Sequence, residues 1–158
     1  MKLFIQRGAG QNDGFTVYNE KGEPIYTAVV KLSGILGMTM YDRSNHTVSD
    51  IRLNNLVLNY FSIRCCHRMD ILIPCLNKRF AFAIYGSTYR FMGSLSDGRF
   101  SMLDSHGDTV MTQKKCWTPH GDGYEIEITD RKYTLFMLSV ALCADIYITL
   151  SENNPLPV

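Results

Sequence analysis

A surplus of charge of either sign is what this sequence most plainly lacks. Sixteen Lys and Arg stand against fifteen Asp and Glu, a formal net charge of +1. A domain built to hold a nucleic-acid backbone carries a stronger basic excess, so nucleic acid is not among the expected partners. Cysteine occurs five times but never with CxxC spacing: Cys65, Cys66, Cys75, Cys116 and Cys143 give an odd total and one vicinal pair. That usage fits reduced thiols better than a disulfide framework. The opening Met1-Lys2-Leu3-Phe4-Ile5-Gln6-Arg7 has only three consecutive apolar residues, too few for the apolar core of a secretory signal. The expectation is a cytoplasmic protein, with any membrane association peripheral. GxSxG, GxGxxG and GxxxxGK(S/T) are missing as well, so neither a nucleophile elbow nor a nucleotide phosphate loop is encoded. No enzyme chemistry and no cofactor is expected.

Metal-ligand spacing is also wanting. His46, His67, His106 and His120 all fall in or beside turn-like stretches, and only His67 has neighbours of ligand type, Cys65-Cys66. Adjacent strand residues point to opposite faces, so that run offers at most two ligands to one side and no metal site is expected.

What the chain does have is 46% apolar residues in 158, enough for one domain with a sizeable core. Three segments share a pattern. Phe15-Thr16-Val17-Tyr18 leads to Asn19-Glu20-Lys21-Gly22, Met38-Thr39-Met40-Tyr41 to Asp42-Arg43-Ser44-Asn45, and Phe100-Ser101-Met102-Leu103 to Asp104-Ser105-His106-Gly107. In each, an alternating tetrad precedes Asn or Asp, and Gly or Asn sits three positions on. The Asx side chain can bond its own backbone at a turn, and Gly or Asn tolerates the left-handed conformation that reverses the chain. Arg79-Phe80-Ala81-Phe82-Ala83-Ile84 and Tyr124-Glu125-Ile126-Glu127-Ile128-Thr129 alternate in the same way. About ten to twelve short strands are expected, and so many must close on themselves or cover their edges, as a barrel or a curled sandwich.

One segment has no polar face. Leu135-Phe136-Met137-Leu138-Ser139-Val140-Ala141-Leu142-Cys143-Ala144 follows Asp130-Arg131-Lys132, where Asp130 suits a helix start. A helix apolar all round is either a buried core helix or a membrane span. Residues 133–150 number eighteen with one charge, Asp145. A carboxylate inside a span is costly, and Thr134, Ser139 and Thr149 dilute the run. A buried helix over about residues 132–146 is expected, with no transmembrane segment, inside one domain covering 1–150 and followed by a tail at 151–158.

Binding chemistry is most visible between residues 64 and 79. Arg64, Arg68, Lys78 and Arg79 flank the apolar run Met69-Asp70-Ile71-Leu72-Ile73-Pro74. If its two ends meet, they make a basic rim able to hold the phosphates of anionic phospholipid headgroups. Lys114-Lys115 beside Trp117 is a second arrangement suited to a membrane interface. Glu125 and Glu127, two apart on one strand, have the geometry of paired carboxylates, but a solvated face accounts for them.

These residues resemble the LURP-one-related family, chiefly through Lys114-Lys115-Cys116-Trp117, the Tyr124–Ile128 strand running into residues 135–146, the opening Met1–Ile5 and the 15–22 hairpin. The resemblance implies a tubby-like fold, an antiparallel barrel of twelve strands enclosing a hydrophobic C-terminal helix. It also implies a role without catalytic residues, since tubby-like relatives bind phosphoinositides and the related scramblases work at membranes. Where the family carries a basic strand, this chain reads Ile51-Arg52-Leu53-Asn54-Asn55. Two function classes stay open: a binding module for anionic phospholipid at a membrane surface, and a protein-interaction or scaffold domain. A small-molecule carrier or enzyme using the barrel interior is the third, disfavoured because a helix fills that space.

Overall fold

The computed structural model describes residues 1–8, 14–31, 36–54, 60–74, 82–118 and 121–153. Twelve strands lie within them: β1 Lys2–Arg7, β2 Gly14–Asn19, β3 Pro24–Lys31, β4 Gly37–Asp42, β5 Thr47–Asn54, β6 Tyr60–Cys65, β7 Arg68–Pro74, β8 Phe82–Ile84, β9 Arg90–Ser94, β10 Arg99–Leu103, β11 Thr109–Thr118 and β12 Gly121–Ile128. All neighbours are antiparallel, in the order β8-β7-β6-β5-β4-β3-β2-β1-β12-β11-β10-β9. The chain is a meander whose first strand pairs with its last, Leu3 opposite Ile126 and Lys2 opposite Glu127. The wall nearly closes into a barrel, with β8 and β9 as the two unjoined edges.

The three expected turns repeat one another atom for atom. Asn19, Asp42 and Asp104 each accept on Oδ1 from the backbone N–H groups two and four residues on, at 2.9–3.0 Å. Gly22, Asn45 and Gly107 occupy the left-handed position at φ 76°, 63° and 91°. Those backbone bonds hold the Asp42 and Asp104 carboxyls below the ordinary aspartate value, the donors being chiefly His46 N–H and Asp108 N–H. The side chains of Asn19, Asp42 and Asp104 thus add hydrogen bonds to each turn's own backbone bond, from Gly22, Asn45 and Gly107 N–H back to the Asx carbonyl.

After β12 the side chain of Asp130 caps a 3₁₀ turn, Arg131–Tyr133, by accepting from Lys132 N–H at 2.9 Å. The helix α1, Thr134–Asn153, continues from it. It starts two residues later and ends seven later than the sequence reading placed it, and so takes in residues assigned to the tail. The reason is that Tyr147 and Leu150 pack against the core, so the β-branched, polar-diluted final turns keep an apolar contact. Residues Met137 to Ile146 are buried without a break. By length and composition α1 is apolar enough to cross a membrane, yet here the barrel surrounds it.

Two polar contacts fix the helix inside. Ser139 Oγ meets Ser49 Oγ of β5 at 2.7 Å and donates to Leu135 O at 2.8 Å. Asp145, the acid in the buried stretch of the helix, accepts from Arg7 Nη2 at 2.8 Å and from the Tyr124 hydroxyl at 3.0 Å. A buried carboxylate paired twice is stable where an unpaired one is not.

The seam between β8 and β9 is closed by rings instead of backbone. Phe82 packs edge-on against Phe61, Phe91, Phe100 and Tyr147 with centroids at 5.8–6.4 Å, an arrangement that suits the aromatic quadrupole. Two outcomes follow. Phe82→Ala lowers unfolding free energy by about 3–5 kcal/mol, read from urea denaturation, with a smaller loss if the seam is held elsewhere. Leu138→Asp leaves no cooperatively folded protein, because an unpaired buried charge removes much of a stability of roughly 5–15 kcal/mol; a folded, soluble variant by circular dichroism means the helix is dispensable.

Candidate functional site

Strands β6 and β7 form a hairpin with Arg64 opposite Met69 and Cys65 opposite Arg68. Its turn is Cys66-His67 alone, and both residues are left-handed, at φ 52° and 61°. Two-residue hairpins of this hand favour Asn-Gly. A residue with a Cβ there costs roughly 1–2 kcal/mol, which makes this turn unlike the three Asx turns at the same end of the barrel.

Strand alternation separates the two arginines of this hairpin. Phe61, Ile63 and Cys65 point inward, so Arg64 stands on the outer wall, where no ion-pair partner is found among the described residues. Arg68 shares the inward side with Asp70 and Leu72 and lies at the barrel mouth. Its Nε and Nη2 both reach Asp70 Oδ1 at 2.9 Å. Arg64 and Arg68 therefore do not form one patch. Lys78 and Arg79 lie outside the described residues.

A cavity of about 430 Å³ opens at the mouth beside Arg68. Its floor and walls are apolar or aromatic: Ile84 from β8, Tyr89 from the β8–β9 connection, and Tyr133 and Phe136 from the start of the helix. Lys132 reaches the same space, its Nζ 5.6 Å above the Tyr133 ring. Cys65 and Cys66 line the side formed by the hairpin. Burial, then the neighbouring Cys66 and Asp70, push the Cys65 thiol up to about 11. Burial also raises the Tyr89 hydroxyl above the ordinary tyrosine value.

The outer wall of the same hairpin holds a different feature. Met69 is 59% exposed and Tyr85 78%. The two are joined through Ile71, which faces Ser62 on one side while its carbonyl accepts from Tyr85 N–H on the other. Ile73, opposite Ala83, extends the strip, and Arg64 borders it. Arg52 on β5 is nearby in register but paired with Asp50 at 2.9 Å. The sequence reading noticed the apolar run and the arginines but missed this strip and the cavity. A signal was present: on β7 the outward positions are Met69, Ile71 and Ile73, while an acid, Asp70, takes an inward one.

The remaining sequence features resolve as follows. Lys114 and Lys115 point to opposite faces, Lys114 outward onto Glu125 at 2.8 Å. Lys2 bridges Glu125 and Glu127 at 3.2 Å each. These partners, Lys114 first, hold the Glu125 carboxyl below its ordinary value, and the two glutamates form an ion-pair ladder on the outer wall. Trp117 is 80% exposed, near the β11–β12 turn and at the opposite end of the barrel from the Cys66-His67 turn. Among the described residues no three His, Cys, Asp or Glu side chains converge as a metal site would require; His120 and Cys75 lie outside them.

Residues 1–145 match the LURP-one-related family. The crystal structure of a protein from Arabidopsis thaliana is similar in fold, with a TM-score of 0.58 and 11% identity over 92% of this chain and 91% of that one. No curated protein matches the chain.

Exposure and ionisation together rank the thiols. Cys66 is exposed while Cys65 and Cys143 are buried, and burial lifts Cys143 well above the ordinary thiol value. With the Cys65 thiol near 11, its thiolate fraction at neutral pH is about a hundredfold below that of an ordinary cysteine. Iodoacetamide at pH 7.5 should therefore modify Cys66 well before Cys65 and Cys143, as read by peptide mass spectrometry. Equal rates would mean that the hairpin end opens in solution.

Proposed function

We propose, from the premise that the chain belongs to the LURP-one-related family, that it is a non-enzymatic module that docks on anionic phospholipid membranes through the outer wall of β6–β8. The observation that carries this reading is the outward strip of exposed Met69, Ile73 and Tyr85 with half-buried Ile71 between them, edged by Arg64, which has no ion-pair partner among the described residues. An apolar strip bordered by cations suits a membrane surface, where the side chains enter the interfacial layer and the guanidinium meets phosphate. Charge complementarity favours lipid over a second copy of the chain, since among the described residues the carboxylate opposite Arg64, Asp50, is already held by Arg52 and Thr39. The phosphoinositide binding of tubby-like relatives supports the same ligand class.

The test is co-sedimentation with liposomes of neutral lipid, with added phosphatidylserine, or with added phosphoinositide, at low and physiological salt. Binding should need anionic lipid and weaken with salt. Arg64→Gln should cost about fivefold in affinity, the equivalent of roughly 1 kcal/mol for a cation near the surface, and the pair Met69→Ser, Tyr85→Ser should cost more. No binding at either salt overturns the proposal and turns the search to protein partners. Loss in Trp117→Ser with the strip variants unaffected also overturns it, placing the docking face at the other end of the barrel.

A further inference from the structure

The cavity at the barrel mouth is separate from the outer strip, and the argument for its occupant does not depend on membrane docking. Its lining residues carry two cations and one acid. Asp70 is buried and already engages Arg68 through Nε and Nη2, so Arg68 is fixed in place with Nη1 left over. Lys132 has no carboxylate partner among the described residues and rests over the Tyr133 ring instead. The lining is thus one positive charge in excess, and both cations sit at the rim. Below them Ile84, Tyr133 and Phe136 form an apolar floor. The volume, about 430 Å³, falls within the range of small-molecule sites, which combine an apolar lining with a few polar groups that orient the ligand.

A cation pair over an apolar pocket selects a molecule with one anionic head and an apolar body. A phosphate ester alone would leave the floor empty, and a neutral hydrocarbon would leave Lys132 unpaired. The hairpin adds a third observation. Cys66, on the cavity's side, is held in a left-handed turn that residues with a Cβ rarely adopt, and such local strain gathers at ligand-binding sites. We propose that this cavity binds an amphipathic monocarboxylate such as a fatty acid, its carboxylate between Lys132 and Arg68 and its chain against Phe136, Tyr133 and Ile84.

The probe is dodecanoate below its micellar concentration, titrated calorimetrically into the full chain, with dodecanol and dodecyltrimethylammonium as matched neutral and cationic chains. One dodecanoate should bind per chain. Lys132→Met should weaken it about tenfold or more, as expected for loss of a charged hydrogen bond, and Ser87→Trp, which fills the cavity, should abolish it. Both substitutions lie at half-buried or exposed positions, and thermal unfolding confirms that they fold. Bound dodecanoate should also slow alkylation of Cys66. Vesicles of phosphatidylcholine, with and without dodecanoate, separate the two sources of a chain: protection of Cys66 by plain vesicles points to a membrane acyl chain and overturns the free-acid assignment. Equal affinity for dodecanol, or no binding of dodecanoate, overturns the proposal outright.

Discussion

Everything in this fold rests on hiding a helix that has no polar side. Ten successive residues of α1, from Met137 to Ile146, are buried, and each turn needs apolar neighbours in a different direction. Only a wall that goes round can supply them, so a meander of short strands is bent until its first strand meets its last, and β8 and β9 remain as its edges. The helix and the closure are mutually required: without the helix the barrel interior is a void, and without the barrel the helix has no solvent it can tolerate except lipid. Asp145 shows which environment this sequence suits. Arg7 and Tyr124 come from two different strands to meet it, and that pairing exists only when the helix lies inside the wall.

Closure by backbone is incomplete, and side chains make up the difference. Between β11 and β12 the ladder runs for eight residue pairs, and between β7 and β8 for three. Beyond β8 there is no ladder to β9, and the Phe82 cluster takes its place. Ring contacts are less directional than a β-ladder, so the wall is stiffest around β11–β12–β1 and least constrained from β7 to β9. Regions with few backbone hydrogen bonds are where proteins open locally. The cavity and the exposed strip both lie in that less constrained part.

Fold and site were legible to different degrees, for physical reasons. The Asx turns could be read because their geometry is local: Asn19, Asp42 and Asp104 bond to backbone no more than four residues away. The barrel followed from strand number and the helix from its composition, neither of which depends on knowing partners. The end of α1 was misplaced because it depends on Tyr147 reaching Phe82, a contact 65 residues away in the chain. The site depended on such distances throughout. Arg64 and Arg68 looked like neighbours, yet strand alternation sends one outward and the other to the mouth. Lys132, Tyr89 and Ser87 join Arg68 only because the helix start and the β8–β9 connection come to the same end of the barrel. No spacing rule connects residues 68, 89 and 132.

The outward residues of β7 are not what folding by itself requires. A strand beside a three-residue edge is the place where natural sheets guard against pairing with other chains, usually with lysine, proline or charge on the outward face. Here the outward face carries Met69, Ile71 and Ile73, with Tyr85 beside them. Folding does not require these choices, because the inward positions of the same strand and its neighbours already supply the core through Leu72, Phe61 and Ile63. Solubility argues against them, since polar residues at those positions would leave the core intact. On the proposed docking reading these residues meet a surface outside the chain, and the neighbouring Arg64 gives that contact a preferred sign. The inward acid on the same strand fits this view, because Asp70 fixes Arg68 at the mouth. One strand thus borders two surfaces, the wall outside and the cavity within, and on each its polarity is opposite to the one that stability alone would choose.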